Sequence, residues 1–222
     1  MIRFISDPIT QVTHFNMCRD SSNQPGTKVL TSVHHKDESI EEMIKDFQNE
    51  IDSSKDGIIM NENIDIGRKN TNLAIASTQA LTKVNKKGKL IGIWHAARLS
   101  NKLAAQYKND NIDYIFLESY WPWTWNMLLW LFFKLNWYVA KKNGIISKLV
   151  YVLGVNQGHP IVDANNLWNS ISWTNKESIL IKQLKYLRKK CPNSAGIGLY
   201  LKTITLKYQT IVDNKMFEYF LD

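Results

Sequence analysis

At 222 residues and 44% apolar content, the chain is long enough for one large domain or two small ones and can bury a substantial core. Ten Gly and five Pro exclude a collagen-like or low-complexity chain. A formal charge of +8 and a pI near 9.3 suit anionic partners, yet the lysines fall in short groups at the ends and faces of predicted helices. There is no nucleic-acid motif and no basic run interleaved with aromatics, so no nucleic-acid partner is expected.

Met1-Ile-Arg-Phe-Ile-Ser-Asp7 reads as a short strand and has no long apolar run of the kind a signal peptide carries, which leaves localisation unassigned and a soluble chain expected. Residues 11–18 and 28–35 are β-branched and aromatic runs, separated by the Pro25-Gly26 turn. Asp37-Glu38-Ser39 opens a helix: Ser39 and Glu42 have the spacing of a capping box, and Ile40, Met43, Ile44, Phe47 and Ile51 recur at helical period. Residues 56–62 read as a fourth strand, 71–84 as a helix, 89–95 as a fifth strand and 98–108 as a helix. The sixth strand, Tyr114 to Leu117, ends on Glu118, Ser119, Tyr120 and Trp121 before Pro122 breaks it. A Trp-rich helix then runs to about Lys142. Asn126, Lys134 and Asn136 interrupt it, and its apolar run falls short of the roughly 20 residues a span requires. It is expected to be buried, with no membrane span. A seventh strand at 148–156, a helix at 178–190 closed by Pro192, an eighth strand at 195–200 and a short helix at 214–221 complete the chain. Cys18 and Cys191 are far apart and without metal-ligand spacing.

Eight strand-like runs, mostly alternating with helices, predict an α/β fold, specifically a single compact (β/α)8 TIM barrel in one domain over residues 1–222. A doubly wound sheet shares the pattern. Its usual glycine-rich phosphate turn is missing after the first strand, where Asp7-Pro8-Ile9-Thr10 stands.

In a (β/α)8 barrel the site lies at the C-terminal ends of the strands. Glu62 and Glu118 are the carboxylates there. They predict a pair of the kind that hydrolyses glycosidic bonds, Glu118 as acid and Glu62 as nucleophile or base. Glu118 shares the strand parity of Tyr114, Phe116 and Tyr120. Burial at the strand mouth is expected to raise its pKa. Trp121, Trp123 and Trp94 are candidates for stacking on sugars, and His34, His95 and Asn156 for bonding hydroxyls; Tyr120 and Asn16 complete the candidate substrate-binding set. The expected partner is a carbohydrate, with no cofactor. Two alternatives stand beside this: a non-catalytic glycan-binding barrel, and a metal-dependent hydrolase using His34 or His35, His95 and the two glutamates, for which no HxH or HExxH motif exists. For Glu118 itself, the simpler expectation is a solvated strand end followed by a core helix.

The strand pattern resembles the chitinase-like glycoside hydrolases of family 18. Val12-Thr-His-Phe-Asn16 is similar to the family's second strand, and Lys28-Val-Leu-Thr-Ser-Val33 to its third. Asp113-Tyr-Ile-Phe-Leu-Glu-Ser-Tyr120 is similar to the sixth, with Tyr120 at a substrate-contacting tyrosine. Residues 148–150 resemble the seventh strand and 195–200 the eighth. The resemblance implies a sugar-processing barrel. The chain departs from it at the family's DxxDxDxE motif. Aligned on Asp56, those positions hold Asp56, Ile59, Asn61 and Asn63, and Glu62 is one residue early. The family's substrate-assisted mechanism therefore does not carry over.

Overall fold

A computed structural model describes residues 2–6, 14–16, 27–34, 38–61, 71–95, 98–119, 126–154 and 179–200. The strands are β1 (Ile2–Ser6), β2 (His14–Asn16), β3 (Thr27–Val29), β4 (Thr31–His34), β5 (Gly57–Asn61), β6 (Leu90–His95), β7 (Tyr114–Glu118), β8 (Leu149–Gly154) and β9 (Gly196–Tyr200). The helices are α1 (Ile40–Ser53), α2 (Thr71–Lys83), α3 (Asn101–Gln106), α4 (Asn126–Asn143) and α5 (Ile179–Lys190). Each of the eight strand-like runs holds a strand, and the third is split at Leu30 into β3 and β4. The expected helix at 214–221 lies outside the described residues.

Strands β4 to β9 form a parallel sheet in sequence order, β4-β5-β6-β7-β8-β9. An order without reversal has no topological switch point, which is the feature that defines a doubly wound sheet. Right-handed crossovers along such an order put every helix on the same face. Accordingly α1 packs on α2, α2 on α3, α3 on α4 and α4 on α5. Their inward residues, among them Met43, Phe47, Leu81, Ala104, Phe133, Ala140 and Leu187, share one core with Ile58, Met60, Ile91, Ile93, Ile115, Leu117, Tyr151 and Ile197 of the sheet.

The opposite face carries a second core made of strand residues and their immediate neighbours: Leu30, Ile59, Trp94, Phe116, Val150, Val152 and Ala195. No residue of the described helices belongs to it. Gly92 makes room within it, since a Cβ there would stand 2.8 Å from the Phe116 ring. Burial on both faces explains why these strands read as continuous apolar runs and not as alternating ones.

At the sheet edge the expectation of eight parallel strands is corrected. β1 pairs with β9 antiparallel, Ile2 opposite Tyr200 and Ser6 opposite Gly196. No βαβ crossover joins these two strands, so the handedness rule that sets the other directions does not reach them. β2 and β3 form a separate parallel pair. β2 also touches β1, and β3 runs through Leu30 into β4. Among the described residues no hydrogen-bonded ladder joins β1 to β2, and the seven-stranded sheet is open.

The helices start and stop by local chemistry. Ser39 and Glu42 make the capping box in full: the Glu42 amide donates to Ser39 Oγ at 3.3 Å and the Ser39 amide to Glu42 Oε2 at 2.9 Å. The C-terminal carbonyls of three helices are met by side chains that stand just before later strands. Lys89, ahead of β6, donates to the carbonyls of Ile51, Asp52 and Ser54 at the end of α1. Asn111, ahead of β7, donates to those of Leu81, Thr82 and Val84 at the end of α2. Lys148, ahead of β8, reaches those of Tyr107, Lys108 and Asn109 after α3. These contacts join the N-terminal ends of the strands to the helix C-termini. They leave the other end of the sheet to carry the candidate site.

No described helix is long and apolar enough to cross a membrane. Two of the polar residues that interrupt α4, Asn136 and Lys134, have structural partners. Asn136 Oδ1 accepts from the Leu99 amide at 2.9 Å, and the Lys134 ammonium donates to the Lys190 carbonyl at 2.8 Å and lies 4.4 Å over the Trp137 ring.

Candidate functional site

The C-terminal ends of β6 and β7 bring two of the sequence-predicted residues together. Trp94 Nε1 donates to Glu118 Oε1 at 2.8 Å. The register explains the contact: Trp94 stands opposite Phe116, and Glu118 is two residues further along β7 on the same face. The indole lies against Phe116 with ring planes 19° apart and centroids 6.4 Å apart. Trp94 is 5% exposed and Glu118 7%. A carboxyl group this far from water requires a donor, and the indole N–H, which can only donate, supplies one. The simpler expectation of a solvated strand end does not hold for Glu118. Trp94, for its part, is committed to holding that carboxyl and offers little ring face to a sugar.

Just beyond, Ser119 continues from β7 to β8, its amide donating to the Val152 carbonyl at 2.8 Å and its hydroxyl to the Leu117 carbonyl at 3.0 Å. The backbone that carries Glu118 is thereby fixed on both sides.

His95 follows Trp94 directly and so faces the other way, into the helix-side packing. Its Nδ1 meets the Tyr107 hydroxyl at 3.0 Å and its Nε2 the Arg98 carbonyl at 3.1 Å. This imidazole ties β6 to the α3 region. It does not stand beside Glu118, and it would have to give up one of these bonds to ligate a metal.

His34 ends β4 and is paired in register with Asn61, which is paired with Trp94. The three positions thus share one row across β4, β5 and β6. Asn61 was not among the sequence candidates. Asn16 ends β2, opposite Val29 in the separate pair. Glu62, Tyr120, Trp121, Trp123 and Asn156 lie outside the described residues. Among the described residues no group of three His, Cys, Asp or Glu side chains is placed to hold a metal ion.

Fold and site together define an α/β protein with a singly wound parallel sheet and a buried carboxyl at the C-terminal strand ends. Compared with known proteins, the chain matches no family model and no curated relative.

Proposed function

We propose that the chain is a glycoside hydrolase-like barrel acting on a poly- or oligosaccharide, with Glu118 as the central carboxyl group and Glu62 as its partner. The observation that carries this reading is the Glu118 carboxyl at the mouth of β7, buried and held at 2.8 Å by Trp94 from the neighbouring strand. A desolvated, positioned carboxyl at that end of a parallel strand is the element that acid-assisted glycoside cleavage requires.

Closure of the sheet into a (β/α)8-type barrel belongs to the same proposal. Three observations support it: the unreversed strand order, the single layer of contiguous helices, and the strand-only second core. The contact of β2 with β1 and the run of β3 into β4 put the small strand pair between the two edges of the large sheet. The antiparallel β1 makes such a barrel a variant of the all-parallel form.

The test is hydrolysis of a panel of polysaccharides and soluble oligosaccharides by wild type, Glu118→Gln and Glu62→Gln. The amide that replaces the Glu118 carboxyl still accepts from the Trp94 indole but has no acidic proton to give. Turnover should fall at least about 100-fold while sugar binding and fold persist. Equal rates in wild type and both variants would remove the hydrolase assignment. A glycan-binding barrel without catalysis is favoured by one specific observation, the amides Asn61 and Asn63 where the similar family carries acids. Saturable binding without turnover in the wild type would establish it.

A further inference from the structure

Helix α4 carries Lys134, Lys141 and Lys142, and helix α5 carries Lys182, Lys185, Arg188, Lys189 and Lys190; neither helix contains an acidic residue. The two helices are neighbours. The Lys134 ammonium bonds the Lys190 carbonyl at 2.8 Å, which brings the basic last turn of α5 against the middle of α4.

On the same helix α4, Leu131, Leu135 and Tyr138 are 52%, 43% and 54% exposed. They are the exposed large apolar residues among the described ones. Their spacing of four and three puts them in one line along the helix, and the next position in that line is the exposed Lys142. Lys134 and Lys141 flank the stripe, their ammonium groups 4.4 and 5.1 Å from the centre of the Trp137 ring. Basic residues in the last turn of α5 also suit that helix's own dipole. That accounts for their place in α5. It does not account for an exposed leucine and tyrosine line beside them.

We propose that the α4–α5 face docks on an anionic membrane surface, with Leu131, Leu135 and Tyr138 seated at the headgroup boundary and the surrounding cations on lipid phosphates and carboxylates. The combination of an apolar line and a cationic rim is that of a helix lying in the interface plane and not crossing it. A nucleic acid would use the cations but gain nothing from the leucines. A second copy of the chain would set one cationic face against another.

The test is cosedimentation of the full chain with vesicles of phosphatidylcholine alone and of phosphatidylcholine with phosphatidylserine. Sedimentation velocity and binding to duplex DNA are measured in the same buffer. The expected result is binding to the phosphatidylserine vesicles that weakens as salt is raised, with little binding to the neutral ones. Leu131→Gln with Leu135→Gln, and separately Lys142→Glu with Lys189→Glu, should each weaken it at least about tenfold. All four substitutions are at the surface, and an unchanged melting temperature certifies the fold. Three results would overturn the proposal: no binding to phosphatidylserine vesicles, vesicle binding that survives the double leucine change, or self-association or DNA binding that takes the place of vesicle binding.

Discussion

Trp94 and Glu118 are 24 positions apart in sequence and joined by a buried hydrogen bond. Replacing Trp94 by Phe keeps most of the packing on Phe116 and removes the donor at 2.8 Å from Glu118 Oε1. A buried carboxyl that loses a donor costs about 1–3 kcal/mol. Trp94→Phe should therefore be destabilised by about that amount in urea unfolding, whereas Glu118→Gln, which retains an acceptor, should lose less. The opposite ranking would mean that the indole bond does not govern this corner. Strand parity made half of this legible. It assigned Glu118 to the face of Phe116, which is where it is. The same parity places Trp94 and His95 on opposite faces, so both could not serve one site. His95 was a candidate by residue type and its place at a strand end, and its partners Tyr107 and Arg98 come from a segment whose approach to β6 no local pattern announces.

Secondary elements were legible because each is locally consistent. The Ser39–Glu42 box and the Met43, Phe47, Ile51 stripe fix α1 with no help from elsewhere. The apolar runs that became β5 to β9 are buried on both faces, which gives them their unbroken hydrophobicity. The helix C-termini were not legible. Lys89, Asn111 and Lys148 read only as polar strand starts, because their acceptors lie 27 to 41 residues earlier. The Lys89→Met variant tests this layer of structure. Its ammonium meets three carbonyls at the C-terminal end of α1, among them Ile51 at 2.7 Å and Asp52 at 3.2 Å. The substitution keeps the aliphatic stem and should cost about 1–3 kcal/mol, with amide exchange accelerated first in the last turn of α1. Gly92→Ala probes the other face. Phe116 is fully buried and stacked on Trp94, so it cannot swing away from a Cβ placed 2.8 Å from its ring. A loss of about 1–3 kcal/mol is expected in thermal or urea unfolding, the usual range for overpacking.

For the molecule as a whole, the positions of the strand-like runs were legible, but the split of the third into β3 and β4 and the direction of β1 were not. The direction of β1 depends on its pairing with β9, a contact between the two ends of the described chain that no crossover constrains. What the whole fold adds to individual residues is clearest where α4, α5 and β8 meet. Cys191, just past α5, is buried, and its thiol donates weakly to the Phe133 carbonyl of α4 at 3.7 Å. The Tyr151 hydroxyl of β8 donates to the same carbonyl at 3.1 Å. Burial pushes the Cys191 thiol up to about 11, while Tyr151 and Lys134 act weakly in the other direction. Burial also raises Tyr151 well above the usual phenol range and raises Tyr186 of α5. All three are acids whose ionisation is easier in the unfolded chain. Between the ordinary thiol value of about 8.5 and the folded value of about 11, the unfolded state has therefore lost a proton that the folded state keeps, and folding stability falls as pH rises. Burial lowers the Lys148 ammonium, which acts in the opposite sense and is present in every variant. Urea midpoints measured from about pH 8 to about pH 11 should decline, and Cys191→Ala should flatten the decline over that interval whatever its effect at neutral pH. A slope unchanged by Cys191→Ala would mean that this thiol titrates alike in the folded and unfolded chain, and that the junction of α4, α5 and β8 is open to water.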